Sequence, residues 1–128
     1  MILVDASAVV AILFQESGYR EMAKRLEEAS ARVMSPVSYA EITMALSRSL
    51  SNPKFVADQF LRDAQIVLCE IDATQAEWAA HAFLLYGKGR HPARLNLGDC
   101  FSYAAAKALN APLLFTGNDF ARTDMRAA

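Results

Sequence analysis

The apolar positions of this chain fall into two rhythms. Ile2-Leu-Val4 is an unbroken aliphatic run with a polar stop at Asp5, and it reads as a strand buried on both faces. Arg32 to Ser35, Ile66 to Ile71 and Pro112 to Thr116 are further strand candidates. Between them the spacing turns helical. Ser7 to Phe14 is compact and apolar, and Ser17 to Ala29 repeats Tyr19, Met22, Ala23 and Leu26 near the 3.6-residue period. Ser35-Pro36 is a helix start, with Ser as N-cap and Pro at the first helical position. The helix that follows carries Val37, Ala40, Met44 and Ala45 on one stripe. Asn52-Pro53 repeats the start signal for a helix to about Gln65, and Asp72 with Gln75 opens another to Tyr86. Gly87 to Pro92 is a loop, Gly98 to Leu109 a helix, and Gly117-Asn118 a turn after the last strand.

Strands alternating with helices predict an α/β fold, a mainly parallel sheet of about four to five strands flanked by helices. In such sheets ligands gather at the carboxyl ends of the strands. The 128 residues suit one domain spanning 1–128, and 54% hydrophobic residues supply a core. No low-complexity tract, linker or repeat divides the chain. The first 14 residues are largely apolar, but no Lys or Arg precedes them and Asp5 interrupts them, which argues against a signal peptide. No run approaches the ~20 apolar residues of a membrane span. Cys69 and Cys100 are too few for a disulfide framework and read as free thiols in a reducing cytoplasm. A formal charge of −1 counts against nucleic-acid binding by bulk electrostatics and leaves room for a local basic patch with bound metal.

Against this scaffold four acids stand out. Asp5 closes the first strand, Glu41 lies within the apolar stripe of its helix, Asp99 opens a helix and Asp119 follows the last strand. Each has an ordinary explanation. Asp5 suits a helix cap, Asp99 complements a helix dipole, Glu41 can reach solvent from the edge of its stripe, and Asp119 suits a turn. Taken together at strand ends and helix starts of one sheet, they point to a shared divalent cation. Four ionised carboxylates at one place repel unless a cation neutralises them, and an all-oxygen set favours Mg²⁺ or Mn²⁺ over zinc. Phosphodiester chemistry is the simplest use for such an ion.

Ser7, Thr116 and Asn118 are candidates to orient a carboxylate or a water, or else are cap and turn residues. His81 and His91 are not spaced as a metal pair. The loop Lys88-Gly-Arg-His-Pro-Ala-Arg94 runs directly into Asn96-Leu-Gly-Asp99, and Lys88, Arg90 and Arg94 are candidates to grip phosphates beside the acids. The helices from Ser17 and Asn52 carry apolar faces (Tyr19, Met22 and Leu26; Phe55, Val56 and Phe60) that serve core packing or a partner.

The fragments Met1-Ile-Leu-Val-Asp-Ala-Ser7, Tyr39-Ala-Glu41, Tyr86 to Pro92, Leu95-Asn-Leu-Gly-Asp-Cys100 and Leu114 to Phe120, in this order, resemble the PIN-domain family, and within it the VapC-type toxins of bacterial toxin–antitoxin pairs. The resemblance spans essentially the whole chain. It implies a PIN-like three-layer sandwich and a metal-dependent endoribonuclease that stops translation by cutting RNA. It further implies a cognate antitoxin that blocks the site, a homodimer and no membrane association. The family's acids fall on Asp5, Glu41, Asp99 and Asp119, with Asp124 as an alternative for the fourth; Thr116 would add a hydroxyl behind them. Rival readings are a PIN nuclease of RNA processing, a phospho-acceptor receiver domain and a catalytically silent binding module. A receiver needs a second acid beside Asp5 and a Lys after the last strand, and this chain has Thr116-Gly117 there.

Overall fold

The computed structural model describes all residues from Met1 to Ala128. Four short strands, β1 (Ile2–Val4), β2 (Arg32–Met34), β3 (Ile66–Leu68) and β4 (Leu113–Leu114), form one sheet in the order β3-β2-β1-β4. All pairings are parallel; Leu3 lies opposite both Val33 and Leu113. Six helices connect them: α1 (Ala6–Leu13), α2 (Tyr19–Glu28), α3 (Pro36–Leu46), α4 (Pro53–Asp63), α5 (Ala73–Tyr86) and α6 (Leu97–Ala108). A 3-10 turn, Phe120–Arg122, follows β4.

The sheet divides the core into two layers, as the unbroken aliphatic strands require. Ile2, Val4, Met34, Ile66 and Leu114 pack with residues of α1 to α4 on one side. Leu3 and Leu113 pack on the other with Ala79 and Ala82 of α5, Tyr103 and Ala104 to Ala106 of α6, and Phe120. Because alternate residues of a strand face opposite ways, β1, β2 and β4 feed both layers, while the edge strand β3 contributes only Ile66. The result is helix, sheet, helix: the predicted sandwich, with four strands.

The helix starts follow local chemistry. The Ser35 side chain accepts from the Val37 N–H at 3.2 Å with Pro36 at the first position, and the Asp72 carboxylate accepts from the Gln75 N–H at 2.9 Å. Asn52 departs from expectation: Pro53 begins α4, but the Asn52 side chain makes no cap bond. The sheet elements are shorter than the sequence predicts. β3 stops at Leu68 instead of Ile71, because it is the sheet edge and Val67 is 66% exposed. Strand pairing of β4 ends at Leu114, although the aliphatic pattern extends to Thr116.

α3 corrects the predicted stripe. Its buried face is Ser38, Ile42 and Leu46, while Met44 is 66% exposed. Glu41 therefore does not stand in the middle of an apolar face. It stands three residues from Ser38, at the border of the buried face, half-buried.

The topology places the site. From β1 the chain moves outward to β2 and β3, then returns to put β4 on the other side of β1. β1 is thus the strand at which the order reverses, and the crevice outside its carboxyl end is where such sheets accept ligands. Asp5 is the first residue past that end, and its N–H donates to Leu114 O at 2.9 Å.

Candidate active site

Asp5 is 4% exposed and ionisable, a costly position unless its oxygens are satisfied. Its Oδ2 accepts from the Ser7 backbone N–H at 3.0 Å, the N-cap bond of α1. Its Oδ1 accepts from the Ser102 hydroxyl of α6 at 2.5 Å. Ser102 Oγ in turn lies 2.9 Å from Ser38 Oγ on α3. The helix cap anticipated for Asp5 is present, and a buried hydroxyl chain that the sequence reading missed stands beside it. The Ser7 hydroxyl accepts from the Thr116 backbone N–H at 3.1 Å, tying the start of α1 to the end of β4. Thr116 joins the site through its backbone in this bond.

Asp99 closes a capping box at the start of α6. Its Oδ2 accepts from the Asn96 N–H at 3.0 Å, and Asn96 Oδ1 accepts from the Asp99 N–H at 2.9 Å. Only Oδ2 is taken by that box. Glu41 reaches the same helix end from α3. A Cβ on Gly98 would fall 2.1 to 2.3 Å from the Glu41 carboxylate atoms, so the carboxylate lies directly over the glycine.

The electrostatics join the four acids. The Glu41 carboxyl is pushed up to about 7 by burial first, then by the charges of Asp5 and Asp99. Asp99 is pushed up to about 6, chiefly by burial and further by Asp5 and Asp119, against the lowering effect of its Asn96 bond. No Lys or Arg is among the groups acting on either, and none of the chain's four ion pairs includes these acids. Asp119 is exposed at the turn after β4, with Asn118, and is felt by Asp99. Asp124 is engaged elsewhere. It accepts from the Tyr103 hydroxyl at 2.8 Å and pairs with Lys107 at 2.7 Å.

The acids lie within electrostatic reach of one another, but no three His, Cys, Asp or Glu side chains close into a ready cage. Mutual repulsion opposes closure, and Mg²⁺ does not require it, since that ion keeps several waters and binds through one or two carboxylates. A hard-oxygen donor set without an internal counter-cation fits a hydrated divalent ion.

The repulsion has a measurable consequence. Folded-state values above the unfolded ones mean that the native state holds these protons more tightly. The contribution of Glu41 and Asp99 to stability is therefore full below about pH 4 and is lost as pH rises through 6 and 7. In chelator, Glu41→Gln should melt close to the parent at pH 5 and above it at pH 7.5. A melting difference that does not grow with pH would show that the carboxylate is not under this strain.

Lys88, Arg90 and Arg94 line a shallow depression with Gly89, His91 and Pro92. Arg90 Nε donates to Leu84 O at 3.2 Å, and His91 Nδ1 accepts from the Ala93 N–H at 3.0 Å. Backbone bonds between Lys88 N and Leu95 O and between Leu95 N and Tyr86 O close the loop immediately before Asn96. His81 is exposed on α5, edge-on to Trp78.

The sequence matches the PIN domain family model over residues 2–125. The chain belongs to the PIN-domain family. Among curated relatives, ribonuclease VapC42 of Mycobacterium tuberculosis is 43% identical across 98% of both chains. In the solved structures, VapC20 of Mycobacterium tuberculosis, a Sarcin-Ricin loop cleaving toxin, superposes with a TM-score of 0.77 at 16% identity, covering 100% of this chain and 98% of that one. A toxin-antitoxin complex from Klebsiella pneumoniae gives 0.71 at 21% identity, covering 100% and 97%. The kinship at 43% places this PIN domain with the VapC ribonucleases, and the structural likenesses confirm its fold. PIN-domain nucleases of this type are generally divalent-metal dependent.

What the sequence reading missed is the serine pair. Ser102 lies three residues after Asp99 and Ser38 three before Glu41, so each shares a helix face with an acid. A polar residue at that spacing from a site acid was the available signal.

Proposed function

We propose that this VapC-type endoribonuclease cuts RNA in the cleft at the carboxyl end of β1, with Asp5, Glu41 and Asp99 holding Mg²⁺ or Mn²⁺ directly or through waters and Asp119 completing the set. The observation that carries this reading is the gathering of Asp5 at the end of β1, Asp99 at the start of α6 and the Glu41 carboxylate over Gly98, with no Lys or Arg among the groups acting on Glu41 or Asp99. A bound divalent ion would supply a water of lowered pKa and positive charge beside the phosphoryl oxygens. The chain's own part is placement. Ser7 and Ser102 fix both oxygens of Asp5, Asn96 fixes one oxygen of Asp99, and Gly98 seats Glu41. Attack by water in line at phosphorus leaves 5′-phosphate and 3′-hydroxyl ends.

The test is total RNA incubated with the purified protein in Mn²⁺ and in chelator, with cut ends mapped by sequencing. Cleavage only with Mn²⁺, at 5′-phosphate ends, is expected. Cyclic 2′,3′-phosphate ends would mean that the RNA's own 2′-hydroxyl attacks, and would overturn the mechanism.

Lys88, Arg90 and Arg94 bind the backbone of the RNA on its way to Asp99. Replacing all three by Ala should weaken RNA binding and reduce its salt slope by about 2, since each phosphate contact on a single strand contributes ~0.7. An unchanged slope would remove the loop from the RNA path. In the cell, which we take to be the reducing cytoplasm, a cognate antitoxin holds the nuclease in check. The groove between α2 and α4, lined by Ala23, Leu26, Phe60 and Ala64, is the surface we assign to it. The protein acts as a homodimer.

A further inference from the structure

Ser38 and Ser102 are fully buried hydroxyls at 0% and 1% exposure that face each other from α3 and α6. A buried hydroxyl has one hydrogen to place and no water to place it on. We propose that the two serines are positioning residues for Asp5, a one-way hydrogen-bond relay that sets the orientation of its carboxylate for the divalent ion. This rests on the reading of the acids given above.

The direction of the relay follows from proton bookkeeping. Ionised Asp5 can only accept, so the 2.5 Å contact uses the Ser102 hydrogen. Ser102 Oγ is then left as an acceptor, and the 2.9 Å contact uses the Ser38 hydrogen. Each donor is fixed by the charge at the end of the chain. With the Ser7 N–H on Oδ2, both oxygens of Asp5 are held, and rotation of the carboxylate plane is blocked. The relay also spans the elements that bear the other acids. Ser38 shares a face of α3 with Glu41, and Ser102 shares a face of α6 with Asp99. A chain of two bonds thus ties the carboxyl end of β1 to both helices at the level of the site.

Packing alone does not call for these hydroxyls. Ala105 and Ala106, three and four residues on, share the buried face of Ser102 on α6, and replacing both partners of a buried hydrogen bond by apolar groups of similar shape is often near neutral. What the alternative would lack is a donor for Asp5 Oδ1. Partners that orient a metal ligand typically govern metal affinity by 10- to 100-fold.

The experiment is Mn²⁺ affinity, read as free Mn²⁺ by electron paramagnetic resonance, for parent, Ser102→Ala, Ser38→Ala, the double variant and Asp5→Asn, each with its melting temperature. Ser102→Ala should weaken Mn²⁺ binding at least tenfold and lower kcat with KM for RNA unchanged, because the basic loop is untouched. Ser38→Ala should weaken it by a few-fold. In the Ser102→Ala background the Ser38 change should add nothing, since it acts only through Ser102. Ser102→Thr, which keeps the hydroxyl, should recover affinity if its melting temperature matches the parent. Parent-like Mn²⁺ affinity in folded Ser102→Ala, or fully additive losses from the two serines, would overturn the relay. If Asp5→Asn also kept parent affinity, the assignment of the acids to the cation would fall with it; loss in Asp5→Asn alone would sink only the relay.

Discussion

Asp5→Asn should abolish RNA cleavage, by about 10³-fold or more, while the protein stays folded and melts at or above the parent temperature in chelator. The fold survives because Asn is as good an N-cap as Asp. Its carbonyl oxygen can take the Ser7 N–H, and its amide can face Ser102, whose hydroxyl then accepts and turns its own hydrogen toward Ser38. What is lost is one negative charge at the centre of the set. Charge stabilisation by a metal at phosphorus is worth several kcal/mol, and each 1.36 kcal/mol is a factor of ten. The same loss removes a repulsive neighbour of Glu41 and Asp99, both of which Asp5 pushes upward. Stability gained at neutral pH together with activity lost is the signature of a group held against its own preference for function. Cleavage by the purified variant within tenfold of the parent would take Asp5 out of the mechanism.

The α/β architecture was legible because alternating strand and helix rhythms leave few arrangements. Ser35-Pro36 and Asp72 with Gln75 marked helix starts through chemistry that operates within four residues. What resisted reading was tertiary. β4 needs only two paired residues because β1 supplies its neighbour, and that pairing joins residues more than a hundred positions apart. The buried face of α3 was misread because Ser38 counts as polar in a periodicity argument, yet it is wholly buried with Ser102 as its partner. Met44 counts as apolar and faces outward. A single error of one residue in the face thus hid the hydroxyl chain behind Asp5. The positions of Asp5, Asp99 and Asp119 at element ends were plain. That Asp5 and Asp99 also serve their helices as caps shows why position alone does not separate a structural acid from a functional one.

Gly98→Ala should cost activity by about 100-fold or more while the protein stays folded. The glycine is buried at the second position of α6, where its backbone is helical and alanine is the better helix former. Local propensity therefore favours the substitution. The obstacle is the Glu41 carboxylate, which occupies the space a methyl group would take, at 2.1 to 2.3 Å from the new carbon. That carboxylate is the end of a flexible side chain, so it can swing away without moving α3. The fold keeps its core, and Glu41 leaves its place beside Asp5 and Asp99. Displacements of about 1 Å at a reacting centre can cost 10²-fold. The variant should also resemble Glu41→Gln in chelator, with the metal-free protein melting higher at pH 7.5 than the parent, because the displaced carboxylate is hydrated and no longer crowded by like charges. Two measurements check this: cleavage rate at saturating Mn²⁺, and the melting temperature in chelator at pH 5 and pH 7.5. Full activity in Gly98→Ala would mean that Glu41 works equally well from elsewhere, and that its place over the glycine has no part in cleavage.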